Sequence, residues 1–286
     1  MKQKFPHPNN KNEYFEFLDG KFCNLSNSSE KLNVLEYSDN LQGWSEDHTE
    51  MIDHEIGSNH PIDISSRKLC KFFLKKFNNF EKNVILEIGC SSGNLINEIN
   101  SISNTYYIGS DVLKKSVKNI AEKYKNIPFV VFDILKNPFP DNFCNTVIML
   151  NVLEHIENDT KALKEANKLL CNNGLLILEV PAGKFLYDEY DKQLLHFRRY
   201  KMFDLVKKIE NAGFTVERKT HLGFFIFPIF ILVKLFNKIF RGKNIISKQE
   251  NLSNNTLVNI LFLIESKLRK FNLPFGIRCF ICARKK

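Results

Sequence analysis

The sequence predicts an α/β fold, a doubly wound, mostly parallel sheet of seven strands. One observation is the stretch Val84-Ile85-Leu86-Glu87-Ile88-Gly89-Cys90-Ser91-Ser92-Gly93-Asn94-Leu95, an apolar strand that runs into a turn of small residues and then into an apolar-periodic segment to Ile99. Such a turn lets a ligand lie against main chain at a helix start. A second is the alternation, downstream, of short apolar runs with amphipathic segments of ten or more residues, the pattern of repeated βα units. A third is the position of acids: Glu87, Asp111 and Asp133 each stand at or near the end of one of the first three apolar runs. The chain divides into an N-terminal extension (1–80), a core (81–221 and 273–286) and an apolar, basic insertion (222–272) between the sixth and seventh strands.

In chain order, residues 1 to about 40 are polar and rich in Asn and Ser, and read as irregular. Trp44-Ser45-Glu46-Asp47-His48 precedes a helix predicted over Ile64–Phe77, whose apolar residues Leu69, Phe72, Phe73 and Phe77 recur at helical spacing. The second strand is Tyr106–Gly109 with Asp111 closing it, followed by a helix over Leu113–Tyr124. The third is Phe129–Phe132, ending in Asp133-Ile134. Thr146–Leu150 is an unbroken apolar run of the kind found in the middle of a parallel sheet. Asp159 or Thr160 is expected to cap a helix that runs to Leu170 and that Gly174 stops. Leu175–Val180 is the fifth strand, Lys201–Ala212 a helix, Phe214–Glu217 the start of the sixth strand, and Pro274–Ala283 the seventh.

The acid inside the turn and the order of segments resemble the E-x-G-x-G-x-G motif of class I S-adenosylmethionine-dependent methyltransferases, with Ser91 at the family's middle glycine. Leu153-Glu154-His155 after the fourth strand and Asn211-Ala212-Gly213-Phe214 before the sixth are similar to that family as well. The resemblance covers about half the chain and implies the Rossmann-like methyltransferase fold, with the N-terminal extension as a cap over the site. It also implies S-adenosylmethionine as cofactor, held by Glu87, Gly89, Cys90, Ser91, Gly93, Asp111, Val112, Asp133, Ile134 and Asn151. Asp111 lies at the spacing from which a carboxylate accepts from ribose hydroxyls. In the resembling family the Asp133 position accepts from the adenine amino group.

Methyl transfer requires placement of the nucleophile, and a base only where that nucleophile must lose a proton. The residues expected on the acceptor side are His196 and Arg199 in His196-Phe197-Arg198-Arg199-Tyr200, and His155. A structural alternative for Arg198 and Arg199 is ion pairing with Asp188 or Asp191. The acceptor is expected to be a small molecule or lipid-linked, methylated on oxygen or carbon. A cofactor-binding protein without activity is one alternative, and a dinucleotide-dependent oxidoreductase is disfavoured by the missing G-x-G-x-x-G.

Charge adds a partner. Residues 234–286 hold twelve Lys/Arg against two Asp/Glu, while the chain as a whole is +9, so the rest is close to neutral. Lys234, Lys238 and Arg241 fall on one helical face beside Leu235, Phe236, Ile239 and Phe240, the composition of a helix lying on an anionic membrane surface. The uncharged run Leu222–Val233 has twelve residues, short of the roughly twenty needed to span a bilayer. Nucleic acid is not expected, since Asn151-Val152-Leu153-Glu154 stands where base methyltransferases carry an N-P-P-Y-like tetrad. No signal-type apolar run follows Met1, which points to the cytoplasm with peripheral membrane contact. Seven scattered cysteines, with Cys279 and Cys282 as the one close pair, give no metal site.

Overall fold

The computed structural model describes residues 3–38, 60–240 and 256–286. Its main sheet contains β5 (Leu35–Glu36), β6 (Asn83–Ile88), β7 (Thr105–Asp111), β8 (Phe129–Val131), β9 (Cys144–Leu150), β10 (Leu170–Pro181), β11 (Phe214–Leu222) and β12 (Arg278–Lys285). The order is β11-β12-β10-β9-β6-β7-β8-β5. Neighbours from β10 to β5 pair in parallel, and β12 runs antiparallel to both β10 and β11. The seven expected strands are present; the eighth, β5, is a two-residue edge contributed by the N-terminal extension.

Helices cover both faces. α1 (Pro61–Phe77), α2 (Ile96–Ile99) and α3 (Lys114–Lys123) lie on one side, with α8 (Thr256–Lys267) packed beside α1; α4 (Asp159–Leu169) and α6 (Met202–Asn211) lie on the other. Both faces of β6 are buried in consequence: Val84, Leu86 and Ile88 join one core, and Ile85 joins the other with Phe73, Ile120 and Phe280. This is the doubly wound arrangement, and it explains why the strands read as continuous apolar runs.

Three local expectations change. Residues 4–32 are not irregular: β1 (Lys4–Pro6), β2 (Tyr14–Leu18), β3 (Lys21–Asn24) and β4 (Lys31–Leu32) form a separate antiparallel sheet. Asp19 and Gly20, both at positive φ, close its central hairpin, and Phe5, Phe15 and Phe22 are fully buried against the core. The helix after the glycine turn, α2, is a single turn. α4 is capped by Asn158, whose side chain accepts from the Lys161 N–H; it has Leu170 as its C-cap, where the sequence places its end, but Gly174 lies inside β10 and does not stop it. Trp44–His48, Lys238 as a side chain and Arg241 lie outside the described residues.

The insertion begins with α7 (Phe227–Phe240). Glu265 of α8 anchors its start, accepting the Gly223 N–H at 2.7 Å. Among the described residues no helix is long and apolar enough to cross a membrane.

Candidate active site at the carboxyl ends of the strands

The turn after β6 follows from backbone sterics. Gly89 and Gly93 have φ of 78° and 75°, and a Cβ on Gly89 would sit 2.4 Å from Val152 Cγ2. Ser91 also takes a left-handed φ, 43°, so the turn keeps its shape without its middle glycine at some conformational cost. The Gly89 and Cys90 N–H groups both donate to Ser110 O at 2.8 Å. Asp111 secures the turn from the neighbouring strand: Oδ2 accepts the Ser91 N–H at 3.0 Å and Oδ1 the Leu113 N–H at 3.1 Å. Each carboxylate oxygen can take a further hydrogen bond, so this clamp is compatible with a ligand diol.

The other predicted cofactor residues gather at the same end of the sheet. Asp133 accepts the Leu135 N–H at 2.9 Å and is nearly buried, as are Cys90 and Ile134; Val112 is half-buried. Asn151 holds φ 54° and donates from Nδ2 to Glu179 Oε1 at 3.0 Å. Glu87 lies beneath the turn, where its carboxyl accepts from the Tyr107 hydroxyl. Burial pushes its pKa up to about 7, against the lowering effect of that hydrogen bond.

Sequence reasoning missed an ionic bridge at this edge. Arg278, at the start of β12, donates to Glu179 Oε1 at 2.8 Å and to Asp63 Oδ1 of α1 at 2.7 Å. An Arg at the head of an apolar strand was the available signal, but not its partners.

Beyond β10, Asp188 and Asp191 form a capping box at α5 (Glu189–Gln193). Asp191 is wholly buried. Although burial opposes its charge, His196 and Arg199 hold its carboxyl well below the usual range. Ionised, it only accepts, so His196 donates Nδ1–H to it at 3.0 Å. Arg199 donates Nε–H to Asp191 Oδ1 at 2.7 Å and is 5% exposed. The sequence predicts Arg199 on the acceptor side; in the structure its Nε is held by Asp191 and its Nη1 by Ala182 O, as the ion-pair alternative anticipated for Asp191. Arg198 pairs with Asp159 at 3.0 Å. Lys234 of α7 is also buried, with Nζ 2.6 Å from Asp188 Oδ1, which removes it from the expected membrane-facing stripe.

His155 and His196 meet edge to face, with ring centroids 4.6 Å apart. Burial pushes the His155 pKa down to about 3 and that of the adjacent Glu154 up to about 8.

Residues 86–178 match a family model described as a methyltransferase domain. An uncharacterised protein of Methanocaldococcus jannaschii is 31% identical over 188 residues, which cover 59% of this chain and 78% of that protein. An mRNA cap guanine-N(7) methyltransferase of Cryptococcus neoformans is 23% identical over 184 residues, covering 53% of this chain but 30% of that protein. The solved structure of a SAM-dependent methyltransferase from Thermotoga maritima superposes with a TM-score of 0.56 at 15% identity, over 84% of this chain and 97% of that one. Fold, turn and likenesses together define a transferase of the Rossmann-like class. The chain belongs to the class I S-adenosylmethionine-dependent methyltransferases, and S-adenosylmethionine is its cofactor.

Proposed function

We propose that this methyltransferase acts on an oxygen or carbon of a small, lipid-linked acceptor reached at an anionic membrane surface. The observation that carries this reading is the outer face of the insertion. Leu232 of α7 is 67% exposed and Leu263 of α8 is 62% exposed, with Ile229, Val233, Leu257 and Ile260 exposed beside them. Exposed apolar side chains on both helices, in the segment that carries the chain's excess positive charge, suit a lipid interface. Lys234 ties α7 to Asp188 in the segment that also holds His196, so this surface adjoins the acceptor side of the site.

The residues fit the cofactor. Three strand-end acids and a turn without bulky side chains supply acceptors for hydroxyl and amino hydrogens beside open main chain. Glu87, Gly89, Cys90, Ser91, Gly93, Asp111, Val112, Asp133, Ile134 and Asn151 would hold it. When bound, S-adenosylmethionine supplies a methyl group on a sulfonium sulfur that departs neutral, so no general acid is required. His196 and His155 form the polar wall facing the acceptor, and Asp191 with Arg199 fixes the orientation of His196.

Labelled cofactor incubated with soluble, lipid and RNA fractions of the source cell tests the acceptor class. Label is expected in the lipid fraction, and incorporation into RNA alone would overturn the reading. Within that assay His196→Ala should lower turnover at least tenfold with cofactor affinity retained, because the residue lies away from the glycine turn.

A further inference from the structure

We propose that Glu154, His155 and His196 form a binding site for one divalent transition-metal ion on the acceptor side of the methyltransferase site. One potential ligand atom from each, a carboxylate oxygen and two imidazole nitrogens, lie within 4.8 Å of one another. Glu154 is 0% exposed, and neither of its carboxylate oxygens has a hydrogen-bond partner among the described residues. A buried carboxylate without a donor calls for a missing partner, and beside two imidazoles a cation is the partner of matching chemistry.

The surroundings agree. Asp191 Oδ1 lies 3.0 Å from His196 Nδ1, and a carboxylate behind a ligating imidazole is the usual support of a metal site. Arg199 and Lys234 in turn neutralise Asp191, so the support is fixed before any ion arrives. Ligand atoms around one such ion sit about 3–4 Å apart, so a shift of about an ångström closes the set. Two nitrogens and one oxygen suit Zn²⁺ or Mn²⁺ and leave coordination positions for an acceptor oxygen. The cluster also lies next to the cofactor turn, because Val152, two residues before Glu154, is the side chain that Gly89 accommodates. An ion here would orient an acceptor hydroxyl and acidify it, which deepens the proposed function and rests on it for the identity of the acceptor alone.

The test reads metal uptake rather than turnover. The full chain is stripped with a chelator, then titrated with Zn²⁺ by calorimetry and with Mn²⁺ by the electron-spin signal of the free ion. One equivalent per chain is expected, weakened at least tenfold in Glu154→Gln and in His196→Gln. Cys144→Ser and Cys282→Ser should leave uptake unchanged, which separates this site from thiol binding. Circular dichroism and S-adenosylmethionine affinity confirm that each variant is folded. No uptake of either ion at about 100 μM, or equal uptake by wild type and Glu154→Gln, overturns the site. Loss of S-adenosylmethionine binding with metal uptake intact would instead strike the cofactor assignment.

Discussion

Replacing Glu87 with Gln should make the protein more stable as the pH rises, although the residue belongs to the cofactor turn. The carboxyl is buried under the turn and its pKa is lifted from 4.5 to about 7, with burial the largest cause. A folded-state pKa above the unfolded value means that the native state holds its proton longer. Its contribution to stability is fully present below pH 4.5 and is lost as the pH climbs through 7. The shift corresponds to about 3 kcal/mol in total, of which about 2.5 kcal/mol falls between pH 5 and pH 8. Gln cannot ionise, and its carbonyl still accepts from Tyr107, so Glu87→Gln is free of this loss. Urea unfolding of the cofactor-free protein at pH 5, 6, 7 and 8 gives the comparison. Glu154 and Glu179 are also shifted upward by burial, but they act equally in both proteins and cancel in the difference. The advantage of the variant should grow by about 2.5 kcal/mol across that range. Parallel curves, agreeing within about 0.5 kcal/mol, would refute the view that Glu87 is a protonated acid at neutral pH.

Asp111→Ala should weaken S-adenosylmethionine binding by about 1–3 kcal/mol, since it removes both the proposed ribose acceptor and the clamp on Ser91; wild-type affinity by calorimetry would exclude the assignment. Gly89→Ala should abolish cofactor binding through its contact with Val152, and adding Val152→Ala should restore it only in part, because the left-handed φ still costs about 1–2 kcal/mol. Leu232→Glu combined with Leu263→Glu should leave the melting temperature unchanged and prevent co-sedimentation with anionic vesicles. Retained sedimentation of that double variant at low salt would remove the insertion as the docking surface.

The sheet was legible because burial on both faces forces apolar strands, and the strand-end positions of the three acids because each closes an apolar run. Glu87, Asp111 and Asp133 needed no tertiary knowledge to be placed. The antiparallel N-terminal sheet escaped notice for the opposite reason: its strands are two to five residues long, and frequent Asn and Ser hid the Asp19-Gly20 hairpin signal. Lys234 shows where helical periodicity fails. Lys234 does stand on a helix, but what its side chain meets is fixed by Asp188, forty-six positions earlier. Arg278 and Glu179 were unreadable in the same way, because each makes sense only with a partner that topology supplies.

The place of β12 has a consequence for how the molecule is assembled. This strand follows the whole insertion in sequence, yet it lies between β10 and β11, pairing Leu175 with Arg284 and Phe214 with Lys285. Until it arrives, two neighbouring strands present bare edges and the sheet is in two parts. Closure is thus a long-range event, of the kind that slows folding and leaves strand edges open to other chains. Arg278 sits at the first residue of that strand, so zipping β12 into the gap also delivers the guanidinium that joins α1 to β10. Completion of the sheet and bracing of the cofactor edge are therefore a single step, and a nascent chain halted before β12 would have neither.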